Sequence, residues 1–337
     1  MKEAMFYRRL DENLLHCFLC SQHCRIGPDE IGKCGVRRNT DGKLWSLVYG
    51  KLIAQHIDPI EKKPLFHFHP GTTSYSIATA GCNFSCRFCQ NADISQSPGD
   101  YGKIYGQSVP AARIAERAEK EGCATISYTY TEPTVFMEYA LDVAAAAKER
   151  GLANVFVTNG YMSREALDAA APFLGAANVD LKAFNDRFYR EQCGARLKPV
   201  LATLEGLKQK GVWIEVTTLI IQGLNDSEAE LKELARFIVG LGPETPWHVS
   251  RFYPAYLLID RGPTPVERIA RARQIGLEAG LHYVYTGNVP GDSGENTYCH
   301  RCGAVIISRI GYAVSKENLK NGACAKCGTA MPGVGLD

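Results

Sequence analysis

Gly81-Cys82-Asn83-Phe84-Ser85-Cys86-Arg87-Phe88-Cys89-Gln90 is the stretch that decides the fold. It follows Tyr75-Ser76-Ile77-Ala78-Thr79-Ala80, an apolar run that reads as a strand. Soft thiolates select zinc, copper(I) or iron–sulfur clusters. A structural zinc takes four ligands, and C-x3-C-x2-C offers three from a loop too short to recruit a fourth locally. A four-iron cubane held by three cysteines leaves one iron open, and this spacing suits that chemistry.

Outward from this loop, strand and helix alternate from about residue 72 to 290. Apolar runs recur at Ser74–Ala80, Ala124–Tyr130, Asn154–Thr158, Asn178–Lys182, Trp213–Ile221, His248–Phe252 and His282–Tyr285. Helical stretches separate them: Pro110–Glu121, Pro133–Arg150, Ser227–Val239 behind the N-cap Asp226, and Pro265–Ala279 behind the N-cap Thr264. Such alternation gives a parallel sheet with right-handed crossovers. Six clear units and a weaker seventh strand fall short of the eight of a closed barrel. The expected fold class is therefore α/β, a partial (β/α)6-type TIM barrel spanning 72–293. Its reacting groups should lie at the C-terminal ends of the strands.

Two small modules flank the barrel in this reading. Residues 1–71 carry Cys17, Cys20, Cys24 and Cys34 among Gly27, Gly32 and Gly35, with few apolar residues around them. That composition reads as a knuckle folded about zinc, with an iron–sulfur cluster as the alternative and His16 or His23 able to replace a thiol. Residues 294–337 carry C-x2-C-x21-C-x2-C, formed by Cys299, Cys302, Cys324 and Cys327, with Gly303 and Gly328 behind the knuckles. This reads as a zinc ribbon with a structural ion. Cys123 and Cys193 remain without a role.

The bulk properties exclude other classes. Thirty-eight basic against thirty-six acidic residues leave a net charge of +2, and no long basic stripe is interleaved with aromatics, so a nucleic-acid partner is not expected. Met1-Lys2-Glu3-Ala4 lacks a signal-peptide core and no apolar run approaches ~20 residues, so a cytoplasmic protein without membrane contact is expected. Thirteen cysteines in a barrel-sized chain then read as reduced, metal-binding thiols.

Through the cysteine loop and the strand ends behind it, the chain resembles radical S-adenosylmethionine (SAM) enzymes, in particular relatives of pyruvate formate-lyase-activating enzyme. Within these it is most similar to the radical SAM member of the AmmeMemoRadiSam system, through the cysteine-bearing N-terminus, Asp58-Pro59-Ile60-Glu61-Lys62-Lys63-Pro64-Leu65 and Tyr128-Thr129-Tyr130-Thr131-Glu132-Pro133. The resemblance implies that Cys82, Cys86 and Cys89 hold a [4Fe–4S] cluster whose open iron binds SAM. One electron then splits SAM into methionine and a 5′-deoxyadenosyl radical, which abstracts hydrogen from a substrate the sequence does not name, a protein among the candidates. Flavodoxin or ferredoxin is the implied electron donor. Methyl transfer by the same fold, and a non-catalytic zinc scaffold or nucleic-acid-binding protein, are the competing readings.

The resemblance also implies cofactor contacts. Phe88 corresponds to the aromatic beside the adenine, with Gln90 close by. Glu132 keeps a carboxylate for the SAM ammonium where relatives carry Gly-Gly-Glu, although threonine here replaces glycine. Thr158 and Asn159 end the third strand, Asp180 and Lys182 the fourth, and Thr217 lies on the fifth. The activating enzymes' Pro-Tyr-His is not reproduced on the sixth strand, so His248 or Arg251 is expected to substitute for it.

Overall fold

The computed structural model describes residues 1–11 and 13–337. The fold is mixed α/β. Its main sheet contains β1 (Lys51–Pro59), β2 (Thr73–Thr79), β3 (Gln107–Ser108), β4 (Thr125–Tyr128), β5 (Ala153–Thr158), β6 (Leu174–Asp180), β7 (Trp213–Ile220), β8 (Trp247–Arg251) and β9 (Val284–Gly287), in the order β9-β8-β7-β6-β5-β4-β2-β1-β3. From β2 to β9, leaving out β3, the strands pair in parallel and follow chain order across the sheet. The seven apolar runs thus become seven parallel strands. Hairpin-type pairing at the β2 edge was not legible in the sequence: β1 runs antiparallel to β2, and β3 to β1. The alternation of Ile53, Gln55 and Ile57 with Leu52, Ala54, His56 and Asp58 does not separate apolar from polar residues, so β1 carries no period-two signal.

Helices α1 (Ala111–Lys120), α2 (Met137–Lys148), α3 (Arg164–Ala170), α4 (Leu197–Gln209), α5 (Glu228–Leu241) and α6 (Val266–Glu278) cross between the parallel strands. Each buries an apolar stripe. Leu231, Leu234, Ala235 and Ile238 of α5 recur at helical spacing and are buried. Burial of each such leucine or isoleucine contributes about 1.5–3 kcal/mol. Close approach matters at Gly276 of α6, where a Cβ would come within 2.8 Å of the Trp247 ring, itself fully buried. The cap of α5 is Ser227, whose hydroxyl accepts from Glu230 N, rather than the expected Asp226. Thr264 does not cap α6 either, because its hydroxyl donates to Ile220 O on β7.

The N-terminal residues form two small antiparallel sheets, and Leu15, Cys17, Leu19 and Ile26 join the same hydrophobic cluster as the main sheet. The C-terminal residues form a three-stranded sheet over 297–316 and a short hairpin at Leu319–Cys324. Their apolar residues make a second cluster with Phe66, Tyr283 and Tyr285. Among the described residues, no helix is long and apolar enough to cross a membrane.

Candidate active site

The cysteine loop leaves β2 through Gly81, whose φ of +98° lies in the left-handed region. A Cβ there would come within 2.6 Å of Val36 and 2.9 Å of Cys34 O, so only glycine fits. The loop lacks regular pairing and is held by neighbours. Ser85 N donates to Cys193 O and Arg87 N to Gln192 O, both at 2.9 Å, and Gln22 Nε2 donates to Asn83 O at 2.8 Å. These bonds fix the backbone between the thiols, which is what lets three side chains share one wall.

Cys82, Cys86 and Cys89 open on one cavity of about 480 Å³. The cavity lies beyond the C-terminal ends of the parallel strands, with Glu132 after β4, Thr158 and Asn159 at the end of β5, and Asp180 ending β6. Burial pushes the Cys82 and Cys89 thiols up. Cys86 moves down, because Cys193 hydrogen-bonds to it and the Lys182 ammonium lies near. Cys193 is therefore a neighbour of the loop on both its backbone and its sulfur, which no spacing in the sequence signals.

Glu132 is 2 % exposed, and its carboxylate takes four donors. It accepts from Thr134 N at 3.0 Å, Thr134 Oγ1 at 2.5 Å, Thr158 Oγ1 at 2.7 Å and Asn159 N at 2.8 Å. Burial nevertheless moves its carboxyl upward. Asn159 turns its side-chain amide to Asn83 Oδ1 at 2.7 Å, tying the β5 end to the cysteine loop. Lys182 lies just past β6 and donates to Asp180 at 2.9 Å. Burial opposes its charge, but Asp180 and Cys86 hold its ammonium above the ordinary value.

Phe88, Gln90, Glu132, Thr158, Asn159, Asp180, Lys182 and Thr217 all line the cavity with the three cysteines. His248 does not. It is 4 % exposed, and its Nε2 donates to Glu215 at 2.7 Å among Phe66 and Tyr285. His248 sits near the start of β8, so its side chain belongs to the opposite end of the sheet from the cavity. Arg251 also stands outside the lining: its Nε donates to Thr264 O at 2.7 Å and its Nη1 to Tyr253 at 3.1 Å. From β8 it is Ser250 that reaches the cavity.

Lys62 and Lys63 complete the wall and were not singled out as site residues in the sequence. Asp58 accepts from Lys62 at 2.8 Å and Lys63 at 2.6 Å, and Tyr130 donates to it as well. Burial opposes ionisation of Asp58, but these three donors hold its carboxyl well below the usual carboxylate range. Lys63, 1 % exposed, is brought down to about 8 by burial, against the pull of Asp58. The signal for this cluster is that Asp58–Leu65 and Tyr128–Pro133, remote in sequence, meet here.

Sulfur separation tests what each cysteine set could hold. Among the described residues, Cys299, Cys302, Cys324 and Cys327 are the one group of three or more possible metal ligands whose ligand atoms all lie within 4.8 Å of one another. Cys299–Cys327 and Cys302–Cys324 are 3.6 and 3.7 Å apart. That is the spacing of a tetrahedral ion with bonds of about 2.3 Å to sulfur. Cys82, Cys86 and Cys89 share a cavity of about 480 Å³, room for more than a lone ion, and three thiolates suit a cluster that keeps one iron open.

The family model described as the radical SAM superfamily matches residues 76–238, from β2 to α5. The chain belongs to this superfamily. It is a radical SAM enzyme, similar over 97 % of its length, at 46 % identity, to the uncharacterized protein MJ0808 of Methanocaldococcus jannaschii, of which it covers 98 %. It is 29 % identical over 50 % of its length to the isethionate sulfite-lyase activating enzyme of Nitratidesulfovibrio vulgaris, spanning 56 % of that protein. Among solved structures, SuiB of Streptococcus suis bound to S-adenosylmethionine shares the fold, with a TM-score of 0.51, 15 % identity, 68 % of this chain and 53 % of that chain.

Proposed function

We propose that the cavity is the site where SAM is reductively cleaved to a hydrogen-abstracting 5′-deoxyadenosyl radical, and that the substrate is a protein. The carrying observation is the sharing of one cavity by Cys82, Cys86 and Cys89 with polar side chains from successive strand ends. In this reading the three cysteines hold a [4Fe–4S] cluster, which when bound supplies the electron for that cleavage. The chain's own residues bind and orient. Glu132, held by three donors on Oε1 and one on Oε2, turns the remaining acceptor capacity of Oε2 to the SAM ammonium, while Thr158 and Asn159 fix its direction. Lys182, paired with Asp180, meets a carboxylate, and its ammonium lies 5.8 Å over the Phe88 ring. Thr217 and Gln90 supply further polar contacts along the wall, and the apolar part of the lining keeps water from the reacting carbon.

The activating-enzyme relatives support a protein substrate and an electron donor such as flavodoxin or ferredoxin. The meeting of Asp58, Lys63 and Tyr130 supports the finer kinship with the AmmeMemoRadiSam enzyme, whose two motif stretches it joins. The molecule is in this view a partial barrel over 72–293, with an N-terminal Cys-rich module over 1–71 and a zinc ribbon over 294–337, working in the cytoplasm. The spacing of Cys299, Cys302, Cys324 and Cys327 supports zinc in the ribbon.

Anaerobic incubation with dithionite and SAM should yield 5′-deoxyadenosine and methionine in equal amounts, read by chromatography. Methylated product without 5′-deoxyadenosine would replace hydrogen abstraction with methyl transfer.

A further inference from the structure

We infer that Lys62 binds a carboxylate of the substrate, in the same cavity as SAM but away from the cysteine loop; this rests on the reading of the cavity proposed above. The charges of the wall leave one lysine in surplus. Asp180 pairs with Lys182 at 2.9 Å, and Asp58 pairs with the buried Lys63 at 2.6 Å. Glu132 takes four donors, none of them a cation. Lys62 also reaches Asp58, at 2.8 Å, but that carboxylate already carries the Lys63 ammonium and the Tyr130 hydroxyl. Two lysines on one carboxylate leave a net charge of +1.

The two lysines differ in what they can offer a ligand. Lys63 is 1 % exposed, and its ammonium lies 4.5 Å over the Tyr130 ring, so it is packed into the wall. Lys62 lines the cavity with its side chain 43 % exposed, and it spends one of its three N–H groups on Asp58. A surplus of one positive charge matches a carboxylate better than a phosphate, which carries nearly two negative charges at neutral pH.

Placement separates this lysine from the proposed SAM contacts. Asp58 stands opposite Ser74 on β2, and the cysteine loop departs after Thr79, at the far end of that strand. The backbones of Ser74 and Thr79 are roughly 17 Å apart at the rise of a strand. Tyr130 spans the distance. Its carbonyl accepts from Nδ2 of Asn91, two residues past Cys89, at 2.9 Å, while its hydroxyl donates to Asp58. Its φ of +63° lies in the left-handed region, where a bulky side chain is strained, and strain of this kind gathers at ligand sites. Tyr130 is a positioning residue in this arrangement: it fixes Asp58, and through Asp58 the Lys62 ammonium, relative to the cysteine loop.

A protein substrate offers a carboxylate from an acidic side chain or from its C-terminus. The test measures binding to the full-length, SAM-loaded holoenzyme by anaerobic equilibrium dialysis with three probes of matched size. N-acetylglutamic acid α-amide carries only the side-chain carboxylate, N-acetylglutamine only the α-carboxylate, and N-acetylglutamine amide neither. At least one acid should bind saturably and about tenfold more tightly than the neutral amide, and which acid does so separates the two sources. Lys62→Gln should weaken that acid about tenfold, and Lys62→Arg should restore most of the loss. Tyr130→Phe should narrow the ratio of acid to amide binding, which a merely structural role would leave unmoved. Equal binding of acid and amide, no saturable binding of either acid, or an unchanged ratio in Lys62→Gln would overturn the inference. Should Lys62→Gln fail to fold, Lys62→Met, which keeps an apolar stem, takes its place. Failure of the SAM reading shows separately, as absence of 5′-deoxyadenosine from the dithionite-reduced wild type; acid binding that depends on Lys62 would still stand.

Discussion

The two ends of the parallel sheet carry the same kinds of residue in opposite arrangements. At the C-terminal end, Glu132, Asp180, Lys182 and Lys63 stand around a cavity of about 480 Å³. At the other end, Glu215, His248, His67, Tyr285 and Arg309 pack against one another and against the C-terminal sheet. Glu215 is fully buried and accepts from His67 N at 2.8 Å, Trp213 Nε1 at 3.1 Å, Phe66 N at 3.0 Å and His248 Nε2 at 2.7 Å. His67 Nδ1 donates to Pro332 O at 2.7 Å, which leaves its Nε2 to accept from Tyr285 at 2.6 Å. Arg309 closes the network on Thr297 and Phe66 O. The difference teaches that a carboxylate–histidine pair is no sign of catalysis by itself. Polar groups are paired at both ends; what distinguishes the ends is that one set keeps a wall toward the cavity while the other is sealed against its neighbours.

Removing a proposed cluster ligand tests the open end most severely. Cys86→Ala should reduce 5′-deoxyadenosine formation to background while the fold, read by circular dichroism, survives; turnover in this variant would break the assignment of the loop. At the sealed end the largest effect should be on stability. Glu215→Ala leaves four buried donors without an acceptor and should cost about 3–5 kcal/mol in urea unfolding, as loss of one partner from a buried charged network does. A SAM-cleavage rate per folded molecule that fell as far as in Cys86→Ala would erase the distinction between the ends.

Acid should act on the sealed end next. Burial holds His67 down to about 4, from an ordinary value of 6.5. The unfolded chain therefore takes up this proton before the folded one does. Stability present above pH 6.5 should be lost as the pH falls toward 4, by on the order of 2–3 kcal/mol. Glu215 adds in the same direction: burial opposes its charge, but the His248 hydrogen bond keeps its carboxyl below the ordinary value. Urea midpoints at pH 7 and 5 should show the loss, and His67→Asn should flatten it; an unchanged slope would mean that His67 is not the proton acceptor. The smallest effect belongs to Lys62, whose side chain is 43 % exposed in its pair with Asp58. Lys62→Ala should change stability by less than about 1 kcal/mol, because Lys63 and Tyr130 still engage Asp58.

Much of the site was legible because strand ends in a parallel sheet converge, so residues at the ends of successive apolar runs meet. Glu132, Thr158, Asn159, Asp180 and Thr217 line the cavity for that reason. His248 failed the same reading because β8 enters the sheet one residue before it, at Trp247, and its side chain lies beside Glu215 of β7. Lys62 and Lys63 were hidden because they precede the first parallel strand; only the bonds to Asp58 and the ring of Tyr130 bring them to the wall.

The order of strands and helices, and which residues offer thiolates, are set by the chain alone, since hydrophobic period and ligand chemistry are local properties. How far apart those thiolates stand is not local. Three knots of cysteine look alike in one dimension, but packing around Phe66 and Tyr283 draws the four sulfurs of the third within 4.8 Å of one another, while the thiols of the central loop open on the cavity. Distance between side chains remote in sequence is set by the core that carries them, and so the tertiary structure decides which thiols can close on an ion.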